Sequence, residues 1–210
     1  MFGLGGAWKI ARGRRTLRAM NALSLAPEKT ALVLIDLQQG VLAMPTEPRP
    51  PADVLAGARS LAAAFRAKGA FVALVRVAFS EGEADMLRPS CDTPAPLPRP
   101  LPPGFSNLAP DLAGERDHLI VKRQWGAFHG TDLDLQLRRR GISTIVLSGI
   151  ATSIGVESTA RQAFELGYEQ VFAEDAMASR TAAEHEHTVT RIFPRLGRVR
   201  KIVDVLAALA

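Results

Sequence analysis

Two ionisable side chains stand beside apolar runs that have the length and composition of buried strands. Asp36 lies near the end of the run over residues 31–37, and Lys122 directly follows a shorter run over 118–121. A buried carboxylate costs free energy unless it is paired or used, and ligands of parallel sheets gather at the carboxyl ends of the strands. Together with the loop at 150–155, these charges predict one polar pocket. Taken singly, the aspartate is more simply explained as a cap and the lysine as a solvated charge.

The elements that must position these residues follow from hydrophobic periodicity. The apolar runs predict strands over residues 31–37, 70–77, 118–121, 144–148, 169–173 and about 198–200. Helical spacing predicts helices over residues 52–68, 131–140, 156–166, 182–192 and from 203 onward. Strands that are apolar throughout and alternate with helices are typical of a parallel sheet covered on both faces. We therefore predict an α/β fold with three layers: a doubly wound, mostly parallel six-stranded sheet with helices on both faces.

A proline-rich segment interrupts the alternation between residues 79 and 117. Its prolines include Pro94, Pro96, Pro98, Pro100, Pro102 and Pro103. Segments of this length without regular structure are usually functional covers or partner contacts. We interpret this one as a candidate lid over the pocket.

Composition favours one globular domain with a basic tail. The chain has 210 residues, 47% of them hydrophobic, and a net charge of +5, which suits one sizeable core. Residues 1–27 contain five basic residues and no acid, and without them 21 basic and 21 acidic residues remain. We assign residues 1–27 to a basic tail and 28–210 to the domain. The tail is interpreted as disordered or as the product of a start codon assigned too early, for which Met20 is the alternative start; a targeting segment is the third interpretation.

Three segments resemble the isochorismatase-like cysteine-hydrolase family in order and spacing. They are Leu32–Gln38, Val121–Leu133 and Gly149–Arg161. The resemblance extends over residues 30–205 and implies a Rossmann-like, three-layer fold. One position departs from the cysteine members, because Gly155 occupies the place of their nucleophilic cysteine. The resemblance therefore points to a branch of the family that lacks the catalytic thiol.

The same resemblance implies roles for the remaining site residues. In cysteine members the aspartate takes the thiol proton and the lysine holds charge nearby, which assigns Asp36 as the acid or base and Lys122 as the orienting cation. Main-chain N–H groups of the loop form an oxyanion hole, and these correspond to Ala151 and Gly155. Family members often have a cis peptide at the bond that matches Ile150–Ala151.

The missing thiol leaves two functional hypotheses. The isochorismatases of the family also have glycine at this position and cleave a vinyl ether, a reaction that requires a proton donor, and a protonated Asp36 is the candidate. Their Gly-Val-Tyr-Ala-His-Ile-Gly differs from the present Gly149–Gly155 segment, which lacks the aromatic and imidazole groups. We predict a hydrolase that cleaves a vinyl ether or a C–N bond of a small metabolite; the alternative is a catalytically silent relative that binds a metabolite or partner in the same pocket.

Substrate contacts are predicted from residues near the three segments. They are Gln38, Arg76, Trp125, Phe128 and Ser153. We expect no cofactor and no metal, because residues 78–95 contain no histidine and the side chains of His185 and His187 diverge on a helix. The single cysteine, Cys91, excludes an internal disulfide and favours the cytoplasm. We expect a small-molecule substrate, no membrane or nucleic-acid partner, and, from the family resemblance, a homo-oligomer.

Overall fold

The computed structural model describes residues 23–93 and 97–209 of the chain. Its strands are β1 (Thr30–Ile35), β2 (Phe71–Val77), β3 (His118–Lys122), β4 (Thr144–Ile150), β5 (Glu169–Ala178) and β6 (Arg198–Arg200). They form a six-stranded sheet in the order β3-β2-β1-β4-β5-β6, and each neighbouring pair is parallel. The predicted α/β fold is therefore confirmed, and the sheet is parallel throughout.

Helices connect the strands that follow one another in the chain, except β2 and β3, which the proline-rich segment joins. The helices are α1 (Gln39–Leu42), α2 (Pro51–Ala67), α3 (Leu133–Arg139), α4 (Glu157–Glu165), α5 (Ala182–His187), α6 (Phe193–Leu196) and α7 (Ile202–Ala208). Two π-helical turns, Thr152–Val156 and Thr188–Ile192, extend α4 and α5. The turn before α4 leads directly from the end of β4 into the helix, and it contains Gly155.

The sheet buries both of its faces, because alternate residues of each strand point to opposite sides. Leu32 and Leu34 of β1 belong to the core beneath α2 and α7. Ala31, Val33 and Ile35 belong to the core beneath α3, α4 and α6. This explains why β1 is apolar at nearly every position, and it leaves the carboxyl edge of the sheet as the place where polar groups gather.

The strand order creates a switch point between β1 and β4. From β1 the chain moves outward through β2 to β3, and it then returns to add β4, β5 and β6 on the other side of β1. Crevices at the carboxyl ends of strands flank such a switch point, and they are where ligands of open α/β sheets bind. Asp36 follows β1, and the turn with Gly155 follows β4.

The proline-rich segment has two parts. Phe105, Ala109 and Leu112 are buried in the core, and the N–H of Ala109 donates to the carbonyl of Leu37 at 3.0 Å. The second part is thus built into the body beside Asp36. The first part, about residues 79–103, carries only the short 3₁₀ turn Glu81–Glu83 among the residues that the structure describes.

The start of the described chain packs against its end. Leu25 is buried, and its N–H donates to the carbonyl of Ala208 at 2.9 Å. The packed body therefore begins before residue 28, where we placed the start of the domain, while residues 1–22 of the basic tail lie outside the described residues. Within the described part, no helix has the length and hydropathy needed to cross a bilayer.

Candidate active site

Asp36 leaves β1 in a conformation that turns its side chain into the carboxyl edge of the sheet. Its φ is 52°, in the left-handed region that aspartate visits more readily than most residues. Its N–H still donates to the carbonyl of Val75 on β2, at 2.9 Å. Only 7% of the residue is exposed. The main chain thus holds a carboxylate at the switch point, nearly removed from water.

Lys122 pairs with Asp36 across the end of β2. Its Nζ lies 2.8 Å from Oδ2 of Asp36, and the lysine side chain is 2% exposed. The same ammonium donates to the carbonyls of Gln124 at 3.1 Å and Trp125 at 2.7 Å. Its three donors therefore all have acceptors, as a buried ammonium requires. The structure brings the predicted acid and the predicted cation into direct contact.

The two oxygens of Asp36 have different environments. Oδ2 accepts from Lys122, whereas Oδ1 is buried and has no hydrogen-bond partner among the described residues. Burial raises the pKa of Asp36 above its ordinary value of 3.8, against the lowering effect of the Lys122 ammonium. Oδ1 is therefore the atom on which a proton can reside.

Gly155 faces the ion pair from the β4 side. A Cβ atom built on this glycine would lie 3.2 Å from Oδ2 of Asp36 and 3.6 Å from Nζ of Lys122. It would also lie 3.0 Å from Cγ2 of Ile35. A side chain at position 155 would thus meet the carboxylate and the ammonium at once. Because Ile35 and Oδ2 of Asp36 would crowd this Cβ, a side chain at position 155 requires small shifts of these neighbours.

Glycine at position 149 allows β4 to end this close to Asp36. Gly149 has a φ of 125°, and a Cβ there would lie 2.1 Å from the carbonyl oxygen of Ile35, so no other residue fits. The next peptide, Ile150–Ala151, is cis, as the resemblance implied. The N–H groups of Ile154 and Val156 then both donate to the carbonyl oxygen of Ala151, with N–O distances of 3.1 Å. The oxyanion role of Ala151 and Gly155 stays a prediction.

A buried histidine anchors the first residue of this turn. Nδ1 of His185 lies 2.9 Å from Oγ1 of Thr152, and both residues are buried. Burial lowers the pKa of His185, and the charge of Arg49 lowers it further, so the ring is neutral at pH 7. Sequence reasoning missed this contact and considered His185 only as a metal ligand.

Gln38 holds the main chain in place. Its Oε1 accepts from the N–H of Val77 at 2.8 Å, and its Nε2 donates to the carbonyls of Val77 and Phe105, both at 3.0 Å. The residue is 0% exposed. It joins the ends of β1 and β2 to the second part of the proline-rich segment, and its predicted contact with substrate remains untested.

Arg76 and Ser153 lie near the carboxyl edge but are bonded to protein groups. Nη1 of Arg76 donates to the carbonyl of Ser106 at 3.0 Å, while its Nε has no partner among the described residues. Oγ of Ser153 lies 2.6 Å from Oγ of Ser179. Their roles in substrate binding stay predictions.

The two predicted aromatic contacts have opposite placements. The side chain of Phe128 is buried in the core and stacks on Tyr168, with ring centroids 5.7 Å apart. Trp125 is 63% exposed and serves the site through its carbonyl. The pattern after Lys122 thus identified the right loop, but it could not tell which side chains of that loop face inward.

A cavity of about 640 Å³ is formed within the proline-rich segment. Its lining comprises Phe79, Ser80, Gly82, Glu83, Arg88, Arg99, Pro100, Leu101, Pro102, Gly104, Phe105, Ser106 and Asn107. Asp36, Lys122 and Gly155 are outside this lining, but Phe105 and Ser106 contact Gln38 and Arg76. Its volume is in the range of small-molecule sites.

The described residues contain no cluster of three or more His, Cys, Asp or Glu side chains arranged to hold a metal ion. Cys91 is exposed.

Comparisons with known proteins identify the family that the chain resembles. Residues 30–203 match the isochorismatase domain. An uncharacterised isochorismatase family protein of Escherichia coli O157:H7, YecD, is 50% identical over 188 residues, which cover 89% of this chain and all of the relative. An isochorismatase family protein of Burkholderia thailandensis has a structure with a TM-score of 0.85 at 45% identity, covering 90% of this chain and 99% of its own. The ureidoacrylate amidohydrolase RutB of Agrobacterium fabrum is 47% identical over 60 residues, which cover 29% of this chain and 26% of the relative.

Proposed function

The chain belongs to the isochorismatase family, and we propose that it is a hydrolase of a small metabolite in which Asp36 transfers the proton. The buried carboxyl group of Asp36 carries this proposal, because its Oδ1 has no hydrogen-bond partner among the described residues and its Oδ2 faces the side-chain position of Gly155. No thiolate or hydroxyl occupies that position. The proposed reaction therefore proceeds without an acyl-enzyme, and a bound water is the attacking group.

The leading reaction is the cleavage of a vinyl ether. Protonated Asp36 gives its proton from Oδ1 to the terminal vinyl carbon, which leaves an oxocarbenium ion. Water adds to the cationic carbon and returns a proton to Asp36, and the hemiketal then collapses to a carbonyl compound and an alcohol. Burial supports this assignment because it raises the pKa of the carboxyl group and favours the protonated form.

Lys122 has a separate role in this proposal. Its ammonium holds Oδ2 at 2.8 Å and is itself held by two carbonyls, so it fixes the direction in which Oδ1 points. It also stabilises the carboxylate that remains after proton transfer. The amides of Ala151 and Gly155 are proposed to hold a substrate oxygen.

A second candidate is hydrolysis of a C–N bond. The partial match to RutB, an amidohydrolase, favours it. Here ionised Asp36 removes a proton from water, the hydroxide adds to the carbonyl carbon, and the nitrogen leaves with a proton. The two candidates require opposite protonation states of one carboxyl group, so their pH profiles slope in opposite directions.

The direct experiment compares wild type with Asp36→Asn against vinyl ethers, ureido acids and simple amides. We expect turnover of one class by the wild type and a loss of at least about 100-fold in the variant, since general acid–base catalysis contributes that much. Asp53→Asn, which alters an exposed aspartate in the first turn of α2, serves as the control with unchanged turnover. Ligand binding without turnover in either form would support the silent relative instead.

Gly155→Cys offers a second test of the same pocket. A thiol at this position would contact Asp36 and Lys122, as a nucleophile with its base and cation requires. We expect the variant to gain amidase activity and to form a covalent adduct with an electrophile. A thiol with ordinary reactivity and no adduct would contradict the proposed geometry.

A further inference from the structure

Thr159 on α4 connects two segments of the site that lie far apart in the sequence. The residue is 0% exposed. Its hydroxyl donates to the carbonyl of Gly155 at 2.7 Å and accepts from the N–H of Ala127 at 3.1 Å. Both partners are main-chain groups, so the connection does not depend on which side chains occupy positions 127 and 155.

The segment that contains Ala127 is also the segment that holds Lys122. The carbonyls of Gln124 and Trp125 accept from the ammonium, and Ala127 follows two residues after Trp125. One turn further along α4, Oε1 of Gln162 accepts from the N–H of Phe128 at 3.3 Å. Helix α4 thus presents a hydroxyl and a carboxamide that bind the loop around the cation.

We propose that Thr159 is a positioning residue that sets the distance between residue 155 and the ammonium of Lys122. The inference deepens the proposed function and rests on it for its chemical meaning. A threonine hydroxyl that donates to the carbonyl four residues earlier is common in helices. The distinctive feature is the hydrogen bond that the hydroxyl accepts from the N–H of Ala127, because it connects the turn after β4 to the loop after β3.

The alternative is that Thr159 only fills and stabilises the core. Its removal would then lower the melting temperature and leave the native geometry around position 155 unchanged. A test must therefore measure the site itself, independently of any substrate. A thiol introduced at position 155 provides that measurement, because its pKa reports its distance from the ammonium.

The experiment uses Gly155→Cys combined with Cys91→Ser, so that the reporter is the only thiol. The thiol pKa is measured from thiolate absorbance and from the pH dependence of alkylation by iodoacetamide. Adding Thr159→Val removes the hydroxyl and keeps the shape of the side chain. This change breaks the contact between the turn and the loop at Ala127, while the contact of Gln162 with Phe128 remains and the pairing of Gly149 with Ile35 keeps the turn against β1. We therefore expect the thiolate to move away from the ammonium of Lys122 more than from the carboxylate of Asp36.

We expect Thr159→Val to raise the thiol pKa by about one unit, which slows alkylation about tenfold at a pH below the pKa. Thr159→Ser keeps the hydroxyl and should retain the parent value. Thr188→Val is the matched control, because Thr188 is also buried and its hydroxyl donates to Glu157. That variant should lower the melting temperature without moving the thiol pKa.

Two results would overturn the inference. One is a folded Thr159→Val protein whose thiol pKa equals that of its parent. The other is a Thr159→Ser protein that shifts as far as the valine variant, since packing and not the hydroxyl would then be responsible. If the valine variant does not fold, Thr159→Ala replaces it with the same measurement. The proposed function fails separately, by the absence of turnover in the wild type, and that result leaves the thiol titration valid.

Discussion

Two regions, the switch point and the first part of the proline-rich segment, are fixed to very different degrees. On the side of the switch point, Asp36, Lys122 and Gly155 are buried, and main-chain groups hold the segments that carry them. On the side of the cover, residues 79–103 contribute exposed side chains such as Leu87, which is 65% exposed, and Arg88, whose ion pair with Glu83 spans 3.7 Å. Segments with few buried contacts open most easily.

This difference separates chemistry from selectivity. The groups proposed to move a proton are built into the sheet edge, where small displacements are costly. The groups that line the cavity of about 640 Å³ belong mainly to the cover, where substitutions are tolerated. We infer that reaction type is determined at the switch point and that substrate choice is determined under the cover. Five predictions test that division.

The largest effect is expected for Lys122→Met. The change leaves the Asp36 carboxylate buried without its cation, and breaking a buried pair from one side costs about 3 kcal/mol or more. We expect a loss of that size in the free energy of unfolding at pH 7, measured by urea denaturation. The loss should shrink in acid, because Asp36 escapes the penalty when it takes up a proton.

Lys68→Met, at an exposed position after α2, provides the control and should change stability by less than about 0.5 kcal/mol. Equal stability of the Lys122 and Lys68 variants at pH 7 would contradict the rigid, buried ion pair. It would also remove the contrast between the two regions.

The switch-point side was also the more predictable one. Strand ends are readable because buried parallel strands are apolar throughout, and parallel strands bring their carboxyl ends together. Asp36 and Lys122 could therefore be placed in one pocket before any contact was known, and Gly155 followed from the family resemblance. Their distances, and the difference between the two oxygens of Asp36, depend on side-chain geometry that no pattern specifies.

Other site features lacked a signal in the sequence. Whether Phe128 or Trp125 points inward depends on the path of an irregular loop, which has no periodicity. For Gln38, which is predicted to contact substrate, no pattern indicated that its amide is also fully buried and bonded to main-chain groups. The hydrogen bond from Thr159 to the carbonyl of Gly155 could be expected from helical spacing. Its hydrogen bond with Ala127 could not, because Ala127 is distant in the sequence and only the folded chain brings the two together.

The pH dependence of turnover is expected to show the next largest effect. Burial raises the pKa of Asp36 above 3.8, so the protonated form persists to a higher pH than in an exposed aspartate. For the vinyl ether reaction, kcat/KM should fall about tenfold per pH unit above that raised pKa, since only the protonated acid reacts. A rate that rises through the same pKa would instead select the C–N reaction, in which the carboxylate is the base.

The free energy of unfolding should also depend on pH through the carboxyl group of Asp36. A carboxyl group with a raised pKa in the folded state favours folding fully below its unfolded pKa, near 3.8, and loses that contribution as pH rises to the folded value. The difference in unfolding free energy between wild type and Asp36→Asn should therefore fall across this window and then level off. A difference that increases with pH would mean that the pairing with Lys122 outweighs burial.

A smaller effect on stability is expected at Gln38, which joins the switch point to the proline-rich segment. Gln38→Leu leaves the N–H of Val77 without its side-chain partner, and a buried, unsatisfied group costs about 1–3 kcal/mol. It also removes one of the two donors to the carbonyl of Phe105, which still accepts from the N–H of Gly40. We expect a loss of about 2 kcal/mol and faster proteolysis within residues 79–117. Gln39→Leu, at the exposed neighbouring position, is the control, and cleavage at equal rates would show that Gln38 does not hold the cover.

The smallest change in stability is expected under the cover itself. Arg88→Ala and Arg99→Ala remove side chains that line the cavity and are exposed to solvent, so each should alter the free energy of unfolding by less than about 0.5 kcal/mol. If the cover selects the substrate, KM should rise severalfold while kcat stays near the wild-type value, because an interaction present in both ground and transition states changes only KM. A fall in kcat at constant KM would place these arginines with the proton-transfer machinery and abolish the division between the two regions.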